Sequence, residues 1–196
     1  MKIYTFREFE EIFTELIHRD GAEGLLNWLR VSDFREAPAS TKFHGNYPGG
    51  LCNHSVNVYY ELQRLLAAYP EIYCSDETAA IIALLHDVCK VNFYSREMRN
   101  KKIDGVWQEV PSYTIEEKFC FAGYHGPKSV WLIERYMKLT PEEAVAIAGH
   151  MGNEDGKFGP YLAYERMPLA WLLHVADESA TVLIEPNDEK EKENKI

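Results

Sequence analysis

The chain has 196 residues, a formal net charge of −10 and 46% hydrophobic residues, as expected for one ordinary globular domain. The acidic balance argues against broad, sequence-independent binding to a phosphate backbone, which requires clusters of Lys and Arg. A small anionic substrate stays compatible with it, because a bound metal can supply positive charge locally. The four cysteines contain no Cys-x-x-Cys pair and no long apolar run occurs, so we expect reduced thiols, a cytoplasmic protein and no membrane span.

The N-terminal half predicts a series of helices. Thr5 to Glu8 has the capping-box pattern, and apolar residues follow it at helical spacing. A second helix is expected over about 22–31, and the Pro- and Gly-rich stretch 34–50 is expected to form a long ordered loop. Two further helices are predicted, from about 51 to 68 and from the N-cap residue Ser75 to His86.

The C-terminal half contains the one segment that departs from helical patterning. Over residues 92–114, an Asp104-Gly105 turn between two short, partly alternating runs predicts a β-hairpin. Helices are expected over about 126–137, 140–150 and 168–183. We therefore expect one all-α domain over 1–184 with a short hairpin insertion, and a charged, disordered tail over 185–196.

Two apolar runs end in ionisable residues. Residues 81–85 lead directly into His86 and Asp87, and residues 169–173 lead into His174 and then Asp177. Buried imidazoles and carboxylates cost free energy unless they are paired or bind metal. For His174 and Asp177, which share a helix face, a hydrogen bond between the two is the alternative explanation.

A further histidine, His54, follows Gly49-Gly50 and would lie in the first turns of its helix. Together His54, His86, Asp87 and Asp177 form a mixed imidazole and carboxylate set that is typical of a catalytic transition metal, namely Mn, Fe, Co, Ni or Zn. A structural zinc site would more often use cysteine. We therefore predict that these four residues bind a divalent metal ion.

The order of these motifs resembles the HD-domain metal-dependent phosphohydrolase superfamily, which is named for its His-Asp pair. The stretches 48–54, 84–90 and 173–177 resemble its Gly-Gly-Leu-x-x-His, Leu-His-Asp-Ile-Gly-Lys and His-x-Ala-Asp motifs, and the match covers roughly residues 43–181. The resemblance implies an all-α helical bundle. Within the superfamily, the chain looks closest to the HD module of YhaM-type 3′–5′ exoribonucleases and similar small HD hydrolases.

The same resemblance implies that His125 and His150 are ligands of a second ion, with Asp87 bridging the two. Met151 stands where the family often has another histidine, which departs from the full two-metal pattern. Cys89 replaces the usual glycine of the His-Asp motif. One ion is therefore expected, with two as the alternative.

These features predict hydrolysis of a small phosphoester such as a nucleotide, with water activated by the metal. Asp87 would orient or deprotonate that water, and Lys90 would neutralise charge that develops on the phosphoryl oxygens. Lys128, in the first turn of its helix, is a candidate substrate contact, and so are His44 and Tyr47 in the loop before His54. Solvent exposure is the alternative for Lys128, and ordinary loop packing for Tyr47.

Three other functions stay open at this point. A 3′–5′ exonuclease or phosphodiesterase acting on oligonucleotides ranks lower, because the chain is acidic and leaves little room before Phe43 for a nucleic-acid-binding domain. A non-catalytic HD-type ligand-binding module is disfavoured by the intact ligand set. A diiron oxygenase would use a similar set of histidines. The sequence leaves the oligomeric state open.

Overall fold

The structure is a computed structural model that describes residues 2–115, 125–152 and 164–185, and it is mostly helical. Its elements, in order, are α1 (Phe6–Leu16), α2 (Ala22–Val31), α3 (Gly50–Ala68), α4 (Asp76–Leu85), a 3₁₀ turn (Val88–Lys90), β1 (Tyr94–Ile103), β2 (Val106–Ile115), α5 (His125–Glu134), α6 (Pro141–Gly149), α7 (Pro168–Ser179) and a π-helix (Ala180–Ile184). This confirms the predicted all-α class with one hairpin.

The centre of the bundle is formed by α3, α4 and α7, with α6 packed against α4 and α7. Helix α4 is buried at every position from Ala79 to Leu85, as its unbroken apolar run predicts. Each buried Leu or Ile side chain contributes about 1.5–3 kcal/mol relative to an exposed one. The ionisable residues that follow Leu85 are therefore carried into the interior by the helix that precedes them.

The N-terminal helix packs through an aromatic cluster. The backbone N–H of Thr5 donates to the Glu8 carboxylate at 2.7 Å, as the capping box predicts. Phe9 lies with its ring centroid 4.7 Å from that of Phe34, and both rings are fully buried. These contacts fix the start of the loop that leads to α3.

That loop returns closely onto the first turn of α3. Gly49 has a φ of 83° at the N-cap position, in the left-handed region that favours glycine. Gly50 lies against the carbonyl group of Gly45, and a Cβ atom at position 50 would lie 1.9 Å from that oxygen. The Gly-Gly pair therefore serves close backbone packing, and it places the loop beside His54.

The hairpin has two ten-residue antiparallel strands, and Lys102 lies opposite Trp107 next to the turn. Asp104 and Gly105 both have positive φ, 49° and 85°, which matches the predicted Asp-Gly turn. Most of the hairpin is exposed, whereas Tyr113 near its base is buried. The strands extend over 94–115, so they are longer than the two short runs that the sequence predicted.

The final helix differs from the sequence prediction. A single helix was expected over 168–183, but α7 ends at Ser179 and a π-helix continues to Ile184. The N–H of Glu185 bonds to the carbonyl of Ala180, five residues earlier, at 2.9 Å. Glu185 was expected to begin the disordered tail, and this was wrong, because the residue is 3% exposed and packs against α3. The remaining tail, 186–196, lies outside the described residues.

Across the described residues, no helix is long and apolar enough to cross a membrane. The predicted division into a domain over 1–184 and a tail stays a prediction for the residues beyond Glu185.

Candidate metal centre

Five of the side chains predicted as ligands converge in the centre of the bundle. They are His54 on α3, His86 and Asp87 at the end of α4, His150 at the end of α6 and Asp177 on α7. All five are buried. The Nε2 atom of His54 lies 3.3 Å from Nε2 of His86 and 3.0 Å from Oδ1 of Asp177.

The carboxylate of Asp87 faces two sides of the cluster. Its Oδ2 lies 3.5 Å from Nε2 of His86, whereas its Oδ1 lies 3.6 Å from Nε2 of His150. The donor atoms form two overlapping sets, His54 with His86 and Asp177, and His86 with Asp87 and His150; in each set all atoms lie within 4.8 Å of one another. This geometry could hold a divalent metal ion.

Backbone carbonyls fix the orientation of two imidazole rings. The Nδ1 of His86 donates to the carbonyl of Ala83 at 2.8 Å, and that of His150 donates to the carbonyl of Ile147 at 2.6 Å. Because a carbonyl only accepts, each neutral ring presents the lone pair of Nε2 to the cluster. Among the described residues, Nε2 of His150 is buried without a hydrogen-bond partner. A buried nitrogen oriented in this way fits a metal ligand.

The carboxylates of the cluster stay ionised despite their burial. Burial raises the pKa of Asp87, but the neighbouring Lys90 and His86 outweigh this and hold that pKa well below its usual value. Burial likewise raises the pKa of Asp177, but the hydrogen bond with His54 and the neighbouring histidines together lower it more, so that pKa also lies below its usual value. Burial lowers the pKa of His54, but the carboxylates of Glu185 and Asp177 raise it to about 10. The carboxylates stay ionised and favour a cation beside them.

Lys90 lies at the edge of this cluster. Its Nζ donates to Oδ2 of Asp87 at 2.6 Å, and the side chain is 9% exposed. Burial lowers the pKa of Lys90, but Asp87 with the neighbouring Tyr94 and Cys89 raises it above the ordinary value, so the ammonium group stays charged. The residue predicted to neutralise phosphoryl charge thus lies next to the predicted ligands.

His125 lies beside Cys89 and Phe93. It is the first residue of α5, and its Nδ1 lies 3.5 Å from Sγ of Cys89. Its ring centroid lies 6.1 Å from that of Phe93. The groups of potential ligands formed by the described residues do not include His125. Its predicted role at a second ion stays a prediction.

The three candidate substrate contacts occupy different positions. His44 lies closest to the ligands, with its ring centroid 4.6 Å from that of His54, and burial lowers its pKa to about 4. Lys128 lies in the first turn of α5, with Nζ 4.6 Å from the centre of the Phe93 ring. The Tyr47 hydroxyl accepts a hydrogen bond from Nδ2 of Asn53 at 2.9 Å, which packs it against α3. Their contacts with substrate stay predictions.

The structure resolves the alternative raised for His174. Its Nδ1 donates to the carbonyl of His150 at 2.7 Å, rather than to Asp177. The ring also stacks on Tyr164, with the centroids 5.7 Å apart. His174 therefore holds the backbone at the end of α6 in place.

Glu185 is a residue of the site that the sequence reasoning missed. Its carboxylate accepts hydrogen bonds from Nδ1 of His54 and from Nδ2 of Asn57, both at 3.0 Å. The signal that could have found it is the short apolar run 182–184, which leads into this carboxylate as the run 81–85 leads into His86 and Asp87. The charged residues after Glu185 concealed that pattern.

Comparison with known proteins gives one curated relative. The dihydroneopterin 2′,3′-cyclic phosphate phosphodiesterase of Methanocaldococcus jannaschii is 26% identical over 148 residues, which are 74% of this chain and 51% of that protein. The chain thus spans about half the length of this curated relative. No solved structure matches the chain.

The HD domain family matches residues 51–181. This range contains all five converging residues, whereas His44 and Glu185 lie outside it. The closer resemblance to YhaM-type exoribonucleases stays a prediction. The match spans most of the chain and confirms the family that the motifs predicted: this protein belongs to the HD domain family.

Proposed function

We propose that this protein is a metal-dependent hydrolase of small phosphoesters. The observation that carries the proposal is the buried convergence of three imidazole Nε2 atoms with two carboxylates, beside one lysine. Imidazole and carboxylate ligands suit Mn, Fe, Co, Ni or Zn. His54, His86, Asp87 and Asp177 would hold this ion, and His150 would add a ligand for a second.

A bound divalent ion supplies Lewis acidity, which lowers the pKa of a water molecule and polarises a phosphoryl oxygen. Asp87 would orient or deprotonate that water, and its ionised carboxylate can accept a hydrogen bond from it. Lys90 has two roles. It keeps Asp87 charged, and its ammonium group adds positive charge where the phosphoryl oxygens become more negative.

The name of the curated relative suggests a class of substrate. It is named for hydrolysis of a 2′,3′-cyclic phosphate, a strained diester on a small molecule. The net charge of −10 also favours a small substrate over extended nucleic acid. We therefore place 2′,3′-cyclic phosphates first among the candidate substrates, with His44 as the nearest candidate contact beside the ligands.

A substrate panel tests the proposal. The metal-depleted protein would be reloaded with Mn²⁺, Fe²⁺, Co²⁺, Ni²⁺ or Zn²⁺ and assayed on 2′,3′-cyclic nucleotides, aryl phosphate mono- and diesters, and a short oligoribonucleotide. We expect metal-dependent hydrolysis of small esters, with the cyclic diesters cleaved fastest. His86→Ala and Asp87→Ala should abolish it, whereas the exposed His18→Ala should not.

Two results would contradict the proposal. If only the oligoribonucleotide is cleaved, the protein is an exonuclease and not a hydrolase of small phosphoesters. No hydrolysis by any metal-loaded form, in a protein that binds metal, would favour a ligand-binding module.

A further inference from the structure

The three histidines of the cluster obtain their orientation in two ways. His86 and His150 are the C-cap residues of α4 and α6. The last turn of a helix leaves carbonyl groups without helical partners. The Nδ1 atoms of these two histidines donate to such carbonyls, those of Ala83 and Ile147.

His54 has no such carbonyl in its own helix. It lies within the 19-residue helix α3, where each carbonyl accepts from the N–H four residues later. Its Nδ1 therefore needs an acceptor from elsewhere in the chain. Glu185 provides one, with its two carboxylate oxygens 3.0 and 3.2 Å from Nδ1.

Glu185 is itself held in a fixed position. Nδ2 of Asn57, one turn further along α3, donates to the same carboxylate at 3.0 Å. The backbone N–H of Glu185 bonds to the carbonyl of Ala180 and closes the π-helix. The side chain is 1% exposed. Because both its backbone and its carboxylate are hydrogen-bonded, the buried Glu185 can fix the orientation of the His54 ring.

We propose that Glu185 is a positioning residue of the metal centre. It holds the His54 ring with the Nδ1 proton directed away from the cluster and Nε2 directed towards Asp177. A carboxylate bonded to the far side of a ligating imidazole also makes that imidazole a stronger donor. The inference rests on the proposed metal site, and it extends that site to a segment beyond the matched range 51–181.

A purely structural role for Glu185 makes a different prediction. If the residue only anchored the segment after α7 to α3, its replacement would lower the stability of the metal-free protein and leave metal affinity unchanged. Metal affinity and the ligand field of a bound ion therefore separate the two roles.

The experiment uses the full chain with Glu185→Gln, Glu185→Ala and, as a matched control on the same segment, the 78% exposed Leu183→Gln. Zn²⁺ and Co²⁺ affinities would be measured by competition with a chelator, together with the visible spectrum of bound Co²⁺ and the Tm without metal. We expect Glu185→Ala to weaken binding about 10- to 100-fold and to alter the spectrum. Glu185→Gln should weaken it less, because the amide oxygen still accepts from His54, and Leu183→Gln should change neither.

The outcomes distinguish this inference from the proposed function. If the wild type binds metal and both Glu185 variants bind it equally well with an unchanged spectrum, the inference fails and the metal site stands. If the wild type binds no metal, both fail. Should Glu185→Ala not fold, Glu185→Gln decides, since it preserves the shape of the side chain while removing its charge and one of its two acceptor oxygens.

Discussion

The Nε2 atoms of His54 and His86 lie 3.3 Å apart, although the two residues are 32 positions apart in the sequence and come from different helices. The Nδ1 of each ring bonds to an acceptor outside the cluster, Glu185 for His54 and the Ala83 carbonyl for His86. In the neutral rings, both Nε2 atoms therefore direct lone pairs at each other. That contact is stable only when a cation, either a proton or a metal ion, lies beside the two nitrogen atoms.

Metal binding should therefore stabilise the fold. At a free metal concentration 100 times the Kd, binding adds about 2.7 kcal/mol, which raises the Tm of a chain of this length by about 5–10 °C. Thermal unfolding of metal-depleted protein with added Zn²⁺ or Mn²⁺ measures this. His86→Ala should show no comparable rise, and an equal rise in that variant would place the metal elsewhere.

Lys90 should affect the rate of the reaction. We expect Lys90→Gln to lower kcat by about 10²-fold, because the ammonium group beside Asp87 is removed. Lys102→Gln, on the exposed β1 strand, is the matched control and should leave kcat unchanged. Steady-state kinetics on an aryl phosphodiester provide the measurement. An unchanged kcat in Lys90→Gln would remove this residue from the proposed mechanism.

Replacement by alanine should change the free energy of unfolding in opposite directions at two helical glycines, Gly50 and Gly24. At Gly50, a Cβ would lie 1.9 Å from the Gly45 oxygen, so we expect a loss of about 1–3 kcal/mol in the free energy of unfolding. At Gly24, the nearest atom would be a Tyr136 ring carbon at 3.6 Å, so alanine should stabilise α2 by about 0.5–1 kcal/mol. Urea unfolding compares the two, and a neutral Gly50→Ala would contradict the close packing described for this loop.

A partly buried ion pair joins Arg19, after α1, to Glu143 on α6. Arg19 bonds to both carboxylate oxygens of Glu143, which is fully buried, and its guanidinium also pairs with Glu77. Arg19→Ala would leave the Glu143 charge without its cation, so we expect a loss of about 3 kcal/mol in the free energy of unfolding. Arg7→Ala, which removes an exposed pair with Glu11, should cause no measurable change. Equal effects in the two variants would contradict this difference.

The sequence predicted those parts of the fold and site that depend on local pattern. The apolar run before His86 predicted a buried helix and, with it, a buried His-Asp pair. Ser75 and Thr140 marked helix starts because their side chains accept from backbone N–H groups three residues later. The Asp104-Gly105 turn predicted the hairpin because both residues adopt positive φ.

The remaining features depend on contacts between distant segments. Glu185 joins the site only because a π-helix turns it onto α3, and no local pattern specifies that turn. His125 has the sequence context of a ligand, and at the start of α5 its Nδ1 lies 3.5 Å from Sγ of Cys89, a contact that the sequence does not reveal. His174 bonds to a carbonyl of another helix, α6, which periodicity along its own helix does not reveal.

Metal-dependent hydrolysis can be tested in a single assay. The rate of cleavage of a 2′,3′-cyclic nucleotide would be measured for the metal-depleted wild type before and after a stepwise addition of Mn²⁺, with His86→Ala in parallel. We expect no cleavage without metal, a rate that rises with metal and then saturates, and no recovery in His86→Ala. Equal rates with and without metal, or recovery in His86→Ala, would contradict it.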